Sequence, residues 1–227
     1  MASVLDSIKR FYSGDDAIFN NLLVFIASMV IGTLMAPGLF EQMQAGIKNP
    51  TIPPSSYSIG VIWSFYFIGY FLLIMNNRIN GQEVGLPVIN LKPIQIAVKA
   101  IPFGIIYFLI AFVIGLIPII GGLIAIFIVT PMQVKYAKNF DLKYATEWMS
   151  TKELIVPMIV PTILLSLKMM VLITLTMIPV IWVCFMFLKN QILMLSLVFY
   201  FITIISIVYN DNLAQIFTEV NYEPTTY

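Results

Sequence analysis

From Ala100 to Val134 the chain carries no charged side chain, and Lys99 and Lys135 bracket this apolar run. A helix crosses the roughly 30 Å hydrocarbon core of a bilayer with about 20 apolar residues. The run is too long for one crossing and too apolar to face water. It predicts a helical membrane protein, and the composition agrees, because only 10% of the residues are charged whereas soluble domains have about 25%.

The composition also excludes several classes of function. The 12 basic and 11 acidic residues give a net charge of +1, so the chain lacks the excess of basic residues that is typical of nucleic-acid-binding proteins. It has no histidine and a single cysteine, Cys184, which removes most transition-metal ligand sets. The sequence contains neither a glycine-rich phosphate loop nor a nucleophile elbow. We therefore predict a protein that is not an enzyme and that has no cofactor and no metal site.

Apolar runs between polar stops predict an all-α fold, a polytopic membrane helical bundle with about six transmembrane helices. Pro118, Gly121 and Gly122 lie in the middle of the long apolar run and predict a tight helical hairpin there. A re-entrant pair of helices that does not cross is the alternative. The predicted spans are 22–40, 57–75, the two arms of the hairpin within 100–134, a fifth span described next, and 191–209.

The fifth span has two possible registers, which differ in where they place Lys168. One register is 155–178, with Lys168 near the midplane of the bilayer. The other is 169–188, with Lys168 at the boundary and 152–167 as an interfacial helix broken by Pro157 and Pro161. A central lysine costs about 2.5–3.5 kcal/mol on insertion scales, whereas a lysine at the boundary can reach the headgroups. The second register is therefore preferred.

Three further segments are predicted to be amphipathic or interfacial helices. In 3–12, Val4, Leu5, Ile8, Phe11 and Tyr12 recur at helical spacing opposite polar residues, which favours an interfacial helix over a solvated arm. Residues 92–99 are amphipathic as well. Between 135 and 152, aromatic residues recur every four positions, which predicts a helix in the plane of the interface. These aromatic residues are Tyr136, Phe140, Tyr144 and Trp148.

The distribution of basic residues predicts the orientation. With six spans and a cytoplasmic N-terminus, nearly all lysines and arginines fall on the cytoplasmic side, and only Lys48 and Lys189 lie outside. We expect both termini in the cytoplasm and a multi-pass location in the cell membrane, with the first apolar run retained. The whole chain, 1–227, is expected to be one integral membrane domain, made of an amphipathic N-terminal helix in 1–20, a transmembrane bundle in 22–209 and a polar tail in 210–227.

The order of short motifs resembles an archaeal and bacterial membrane family catalogued as domain of unknown function 4013. The motifs are Gly69-Tyr70, Arg78, Asn80-Gly81-Gln82-Glu83, Leu86-Pro87, the glycine- and proline-containing stretch 115–122, and Tyr136-Ala137 before Phe140. The acidic and tryptophan residues usual after the Leu-Pro pair are replaced here by Val88-Ile89-Asn90. The resemblance implies about six helices and no established activity.

Three residues are candidates for function: Lys168, Arg78 and Glu83. Lys168 is chosen because charges inside a membrane usually serve a pathway or a partner, although a snorkelling lysine is the preferred explanation. Arg78 and Glu83 belong to the turn that carries the resemblance. The favoured function is a scaffold or accessory subunit that contacts membrane lipid and other membrane protein subunits. The alternative is a permease subunit for a small or lipophilic solute, working with a separate ATPase.

Overall fold

The computed structural model describes residues 3–12, 17–44, 54–82, 90–117, 121–187 and 191–222. These residues form helices and no strand, which confirms the all-α fold. The helices are α1 (Val4–Tyr12), α2 (Ala17–Gln44), α3 (Pro54–Ile79), α4 (Lys92–Lys99), α5 (Ile101–Gly115), α6 (Gly121–Asn139), α7 (Leu142–Thr146), α8 (Trp148–Phe187) and α9 (Gln191–Tyr222).

Five stretches of the described helices are long and apolar enough to cross a bilayer, so the chain is a multi-pass membrane protein. They are Ala17–Leu34, Gly60–Ile79, Lys92–Gly115, Trp148–Val183 and Leu193–Asn221. The sequence predicted about six spans, and the one without a counterpart is α6. The reason is compositional: the last turns of this 19-residue helix contain Gln133, Lys135 and Lys138, which lower its apolar character.

Helices α2 and α9 run antiparallel and share the largest helix–helix interface. Small polar residues let the two backbones approach, since Ser28 and Ser196 are fully buried. Near the N-terminal end of α2, the Tyr200 hydroxyl donates to Asn21 Oδ1 at 3.4 Å, and the Tyr200 ring meets Phe25 edge-on at 5.6 Å. This pair forms the centre of the bundle, and α3 and α8 pack on other sides of α9.

Helix α4 lies directly against α3 at a glycine. A Cβ atom built on Gly69 would overlap the backbone carbonyl of Pro93, so only glycine permits this approach. On α4, Pro93, Ile96 and Ala97 are buried while Lys92 and Lys99 are exposed. The predicted amphipathic helix over 92–99 is therefore confirmed, and its apolar side faces the protein.

Helices α5 and α6 form the predicted hairpin, and Gly121 lets their backbones meet at the closed end. A Cβ atom there would overlap the carbonyl oxygen of Ile114. The arms contain 15 and 19 residues, or roughly 22 and 28 Å at about 1.5 Å per residue. The N-terminal arm is the shorter one, and α4 precedes it after a break at Ala100.

Helix α8 is continuous for 40 residues through Pro157, Pro161 and Pro179. The prediction that Pro157 and Pro161 interrupt the chain was wrong, because neighbouring helices can compensate for the backbone hydrogen bonds that a proline removes. One side of its first half packs against α6 and α9. The buried residues on that side recur every three or four positions: Thr151, Leu154, Met158, Thr162, Leu165 and Met169.

The single in-plane helix predicted over 135–152 was also wrong. Helix α6 ends at Asn139, Phe140 adopts a left-handed conformation with φ of 56°, and α7 starts after Asp141, whose side chain accepts from the Lys143 amide. The aromatic residues therefore do not share a face. Tyr136 is 1% exposed and stacks on Phe103 at 4.6 Å, whereas Trp148 is 54% exposed.

Residues 210–222 form the last turns of α9 rather than the start of a polar tail. Leu213, Ala214 and Phe217 are buried in the main core. The helix continues because apolar residues keep a helical spacing after Asp211, and α1 covers part of this extension.

Candidate functional site

The carboxylate of Asp211 joins α1 to the last helix. Its Oδ2 accepts from the Ser7 hydroxyl at 2.7 Å, and its Oδ1 accepts from Arg10 Nη1 at 3.1 Å. Arg10 also donates through Nη2 to the backbone oxygen of Gln82 at 2.7 Å. Charge-assisted hydrogen bonds of this kind are among the stronger ones in proteins. We refer to Ser7, Arg10, Gln82, Asp211 and Asn212 as the α1 clamp.

Asn212 completes the clamp from a fully buried position. Its amide nitrogen donates to the Ser7 hydroxyl and to the Val208 carbonyl, each at 2.8 Å. The Ser7 hydroxyl thus accepts from Asn212 and donates to Asp211, so both of its hydrogen-bonding roles are used. The clamp ties the start of the chain, the turn after α3 and the end of α9 into one hydrogen-bonded unit.

A buried lysine connects α6 to α7 and α8. Lys135 is 0% exposed, and its Nζ donates to the Glu147 carbonyl at 3.0 Å, to Ser150 Oγ at 2.7 Å and to Thr151 Oγ1 at 3.0 Å. The ammonium group also lies 4.8 Å from the centre of the Tyr144 ring. Burial lowers the pKa of Lys135, and the Glu147 carboxylate partly opposes this shift. All three ammonium donors are used, which makes this residue a structural connector.

The end of α3 caps the end of α6. Asn76 Nδ2 donates to the carbonyls of Ala137 and Lys138, both at 2.8 Å, and Asn80 Nδ2 donates to the Lys138 carbonyl at 3.3 Å. Terminal carbonyls of a helix lack partners within it, so these side chains satisfy groups that would otherwise be exposed. With the α1 clamp and the Lys135 contacts, they form what we call the polar end of the molecule.

The predicted candidate residues are not brought together. Lys168 is exposed and lines a cavity of about 100 Å³ with Leu165, Ile216 and Glu219. Glu219 lies two helical turns beyond Asp211, so Lys168 sits toward the polar end rather than among uninterrupted apolar surroundings. Arg78 lies in the last turn of α3 and does not line this cavity, and Glu83 lies outside the described residues.

The register of the fifth span stays a prediction. The stretch of α8 that is apolar enough to cross a bilayer is Trp148–Val183, which includes Lys168. The apolar remainder of α8 after Lys168, 169–187, is about as long as the hydrocarbon core is thick. The whole helix is roughly 60 Å long, twice that thickness.

Two cavities lie along the spans. The first, which we name the α8–α9 pocket, has a volume of about 460 Å³. Its lining is Phe71 of α3 with Ser166, Met169, Met170, Ile173 and Thr174 of α8 and Ile205, Ser206, Tyr209 and Asn210 of α9. The second is a groove of about 360 Å³ between α2 and α3, lined by aliphatic and aromatic side chains. Neither lining contains a charged residue.

Sequence reasoning missed the residues with the most polar contacts. None of Ser7, Arg10, Lys135 and Asp211 was among the predicted candidate residues, and Asp211 fell in the predicted polar tail. One signal was present for α9, because Leu213, Ile216, Phe217 and Val220 continue a helical spacing past Asp211. For the partners of Asp211, 200 residues away in the chain, the sequence contained no signal.

The fold defines an all-helical, multi-pass membrane protein, and the polar contacts described above lie at one end of it. Among the described residues, no group of three or more histidine, cysteine, aspartate or glutamate side chains is arranged to hold a metal ion. No family model, curated protein or solved structure matches the chain. The resemblance to the family of domain of unknown function 4013 stays a prediction.

Proposed function

We propose that the protein is a non-catalytic subunit of a membrane complex and that α5 is where it packs against a helix of another subunit. The observation that carries this proposal is the isolation of α5 within its own bundle. Helix α5 packs on α6 and touches α4 at its start, and of its side chains only Phe103 is buried. A span that the described part of the chain leaves uncovered is available to a partner.

The surface of α5 has the residue pattern of a helix–helix contact. Gly104, Ala111 and Gly115 are spaced by seven and four residues, which places them on one face. A Cβ atom at Gly104 or at Gly115 would meet nothing within 4 Å. Small residues let two membrane helices approach closely, and here that space is open.

Two large side chains border this open face. Phe108 is 65% exposed and Phe112 is 56% exposed, and their rings stack on each other at 6.1 Å. Because the rings already support each other, a partner helix would meet an ordered ridge beside the glycine face. Ridge and face together provide a shape that a neighbouring helix can match.

A permease subunit for an uncharged solute is the second candidate, and the α8–α9 pocket is the observation that favours it. Hydroxyl and amide groups line that pocket, so it offers such a solute a place to bind. The spans contain no charged residue over 17–34, 60–77, 100–134 or 193–210. This supports either candidate over a lipid-modifying enzyme, which would need acid–base groups.

The test is a photocrosslinking amino acid introduced at Phe108, with the same replacement at Leu175 of α8 as the control. Leu175 is comparably exposed, at 67%. We expect one discrete protein adduct from position 108 in cells that express the protein natively, and none from position 175. Adducts of equal yield from both positions, or adducts with lipid alone, would contradict the proposal.

A matched pair of glycine substitutions sharpens this test. Gly104→Leu fills the open face of α5, whereas Gly60→Leu places the same side chain at an equally open glycine of α3. We expect Gly104→Leu to abolish the adduct at position 108 and Gly60→Leu to leave it intact. If Gly60→Leu also abolishes the adduct, the contact does not depend on the α5 face.

For the orientation, we propose that the polar end faces the cytoplasm of a cell with both termini inside. The basic residues Lys9, Arg78, Lys138 and Lys143 belong to this end, in agreement with the positive-inside rule. A single cysteine at exposed position 143, in a variant without Cys184, should react with a membrane-impermeant maleimide only after the cells are opened. Reaction in sealed cells would reverse the orientation.

A further inference from the structure

The α8–α9 pocket combines converging polar groups with an apolar floor. Its volume of about 460 Å³ lies within the range of small-molecule sites. Ser166 of α8 and Tyr209 of α9 line the pocket on the side of the polar end. Phe71, Ile173 and Ile205 line the apolar part. The pocket is thus polar toward the headgroups and apolar toward the hydrocarbon, as an amphiphile is.

The polar groups of the pocket keep hydrogen-bonding capacity for a ligand. The Thr174 hydroxyl donates to the Met170 carbonyl at 2.9 Å, so its oxygen remains an acceptor. Ser166, Ser206 and Tyr209 also line the pocket, and a hydroxyl group can both donate and accept a hydrogen bond. Asn210 donates to the Ser206 carbonyl at 2.7 Å, which fixes the orientation of its amide. A ligand that both donates and accepts, such as an alcohol, matches these groups.

The lining of the α8–α9 pocket has no charged residue, which disfavours ionic ligands. Lys168 and Glu219 line a separate cavity between the same two helices. An ionised phosphate or carboxylate brought into the pocket would be desolvated without a counter-charge, which is costly. The pocket therefore disfavours phospholipid headgroups and fatty-acid anions.

The lip of the pocket gives access from the lipid side. Met170 is 67% exposed and Ile173 is 43% exposed, and both also line the pocket. A molecule already dissolved in the bilayer can enter past these flexible and aliphatic side chains without crossing water. Methionine adapts its shape readily, which suits it to a site that admits an alkyl chain.

We propose that the α8–α9 pocket binds the hydroxyl-bearing head of an uncharged glycerolipid, a monoacylglycerol. The free hydroxyl groups of the ligand bond the hydroxyls of Ser166, Ser206 and Tyr209. The adjoining alkyl chain leaves over Met170 and Ile173 into the bilayer. This binding is independent of the proposed packing of α5.

The experiment uses the full chain in phosphatidylcholine nanodiscs and a monoacylglycerol with a photoreactive diazirine in its acyl chain. A fatty acid with the same diazirine chain is the matched ligand, because it differs in having a charged head. We expect the glyceride to label peptides containing 166–174 and 205–210, and excess unlabelled monoacylglycerol to remove this labelling. Equal labelling of those peptides by the fatty acid would overturn the proposal, as would glyceride labelling confined to the exposed face of α5.

Two variants locate the site. Ser206→Phe fills the pocket, and the control Ile202→Phe places the same ring one turn earlier on α9, at a residue that is 48% exposed. We expect Ser206→Phe to lower labelling by at least about tenfold, because an overfilled site excludes its ligand, and Ile202→Phe to leave it unchanged. An equal loss in both variants would show that the ligand binds elsewhere.

Tyr209→Phe keeps the aromatic ring and removes the hydroxyl group, so it tests the pocket even if Ser206→Phe fails to fold. We expect about threefold to tenfold weaker competition by unlabelled monoacylglycerol, the effect of one lost hydrogen bond. Unchanged competition would remove the hydroxyl contacts from the proposal and overturn it. The crosslink at Phe108 serves as an independent readout, since loss of glyceride binding leaves the α5 contact unaffected.

Discussion

The polar end and helix α5 are held in the molecule by different kinds of contact, polar in the first case and apolar in the second. At the polar end, residues far apart in the chain meet through an ion pair and multiple hydrogen bonds, and a lysine is completely enclosed. Helix α5 lacks charged side chains, and it is held through apolar contacts with α6 and with the core around Phe103. In a bilayer, apolar surface gains little from contact with other apolar surface. Polar contacts therefore fix this fold, while the apolar arm remains free for other contacts.

Asp211→Ala is the substitution with the largest expected effect on the polar end. The substitution removes the acceptor of Ser7 and Arg10 and leaves the Arg10 guanidinium without its carboxylate. We expect the free energy of unfolding, measured by denaturing-detergent titration in mixed micelles, to fall by about 3–5 kcal/mol. The exposed carboxylate Glu153 of α8 offers the matched control, and Glu153→Ala should change stability by less than about 0.5 kcal/mol. Similar losses for both variants would mean that the clamp contributes nothing specific.

A second test asks whether α5 is held only at its base. Phe103 is 6% exposed and stacks on Tyr136 with an interplanar angle of 8°. We expect Phe103→Ala to lower the free energy of unfolding by about 3 kcal/mol, because the truncation leaves a cavity and removes the ring contact. Phe103→Leu should recover more than half of this loss. A negligible effect of Phe103→Ala would show that the base of α5 is as loosely held as its outer turns.

Lys135→Met tests the enclosed lysine with a side chain of similar length. Three hydrogen bonds are lost, but the charge that needed them is lost as well, so we expect a moderate fall of about 1–3 kcal/mol in the same titration. Lys138 of α6 is exposed, and Lys138→Met is the control, with a change below about 0.5 kcal/mol. A gain in stability for Lys135→Met would mean that the free-energy cost of desolvating this lysine exceeds the stabilisation from its hydrogen bonds.

The parts of the fold that local patterns determine could be predicted. The apolar runs, the hairpin at Gly121 and the amphipathic helix over 92–99 follow from spacing and from glycine and proline. The continuity of α8 could not be predicted. Whether Pro157 breaks a membrane helix depends on which neighbouring helices compensate for the backbone hydrogen bond that a proline removes. The placement of Lys168 at a membrane boundary stays a prediction. The α1 clamp depends on contacts between the two ends of the chain, which no local pattern encodes.

The smallest expected effect belongs to Phe108→Ala, on the arm that the bundle leaves uncovered. The ring is as large as that of Phe103, but it is 65% exposed and stacks on Phe112 rather than on the core. Its removal should therefore change the free energy of unfolding of the isolated protein by less than about 0.5 kcal/mol. In the native membrane, we expect the same substitution to weaken the contact with the partner subunit, seen as loss of co-purification under conditions in which Gly60→Leu has no effect. A large loss of stability in the isolated protein would place Phe108 inside the bundle, and the contrast between the two regions would then fail.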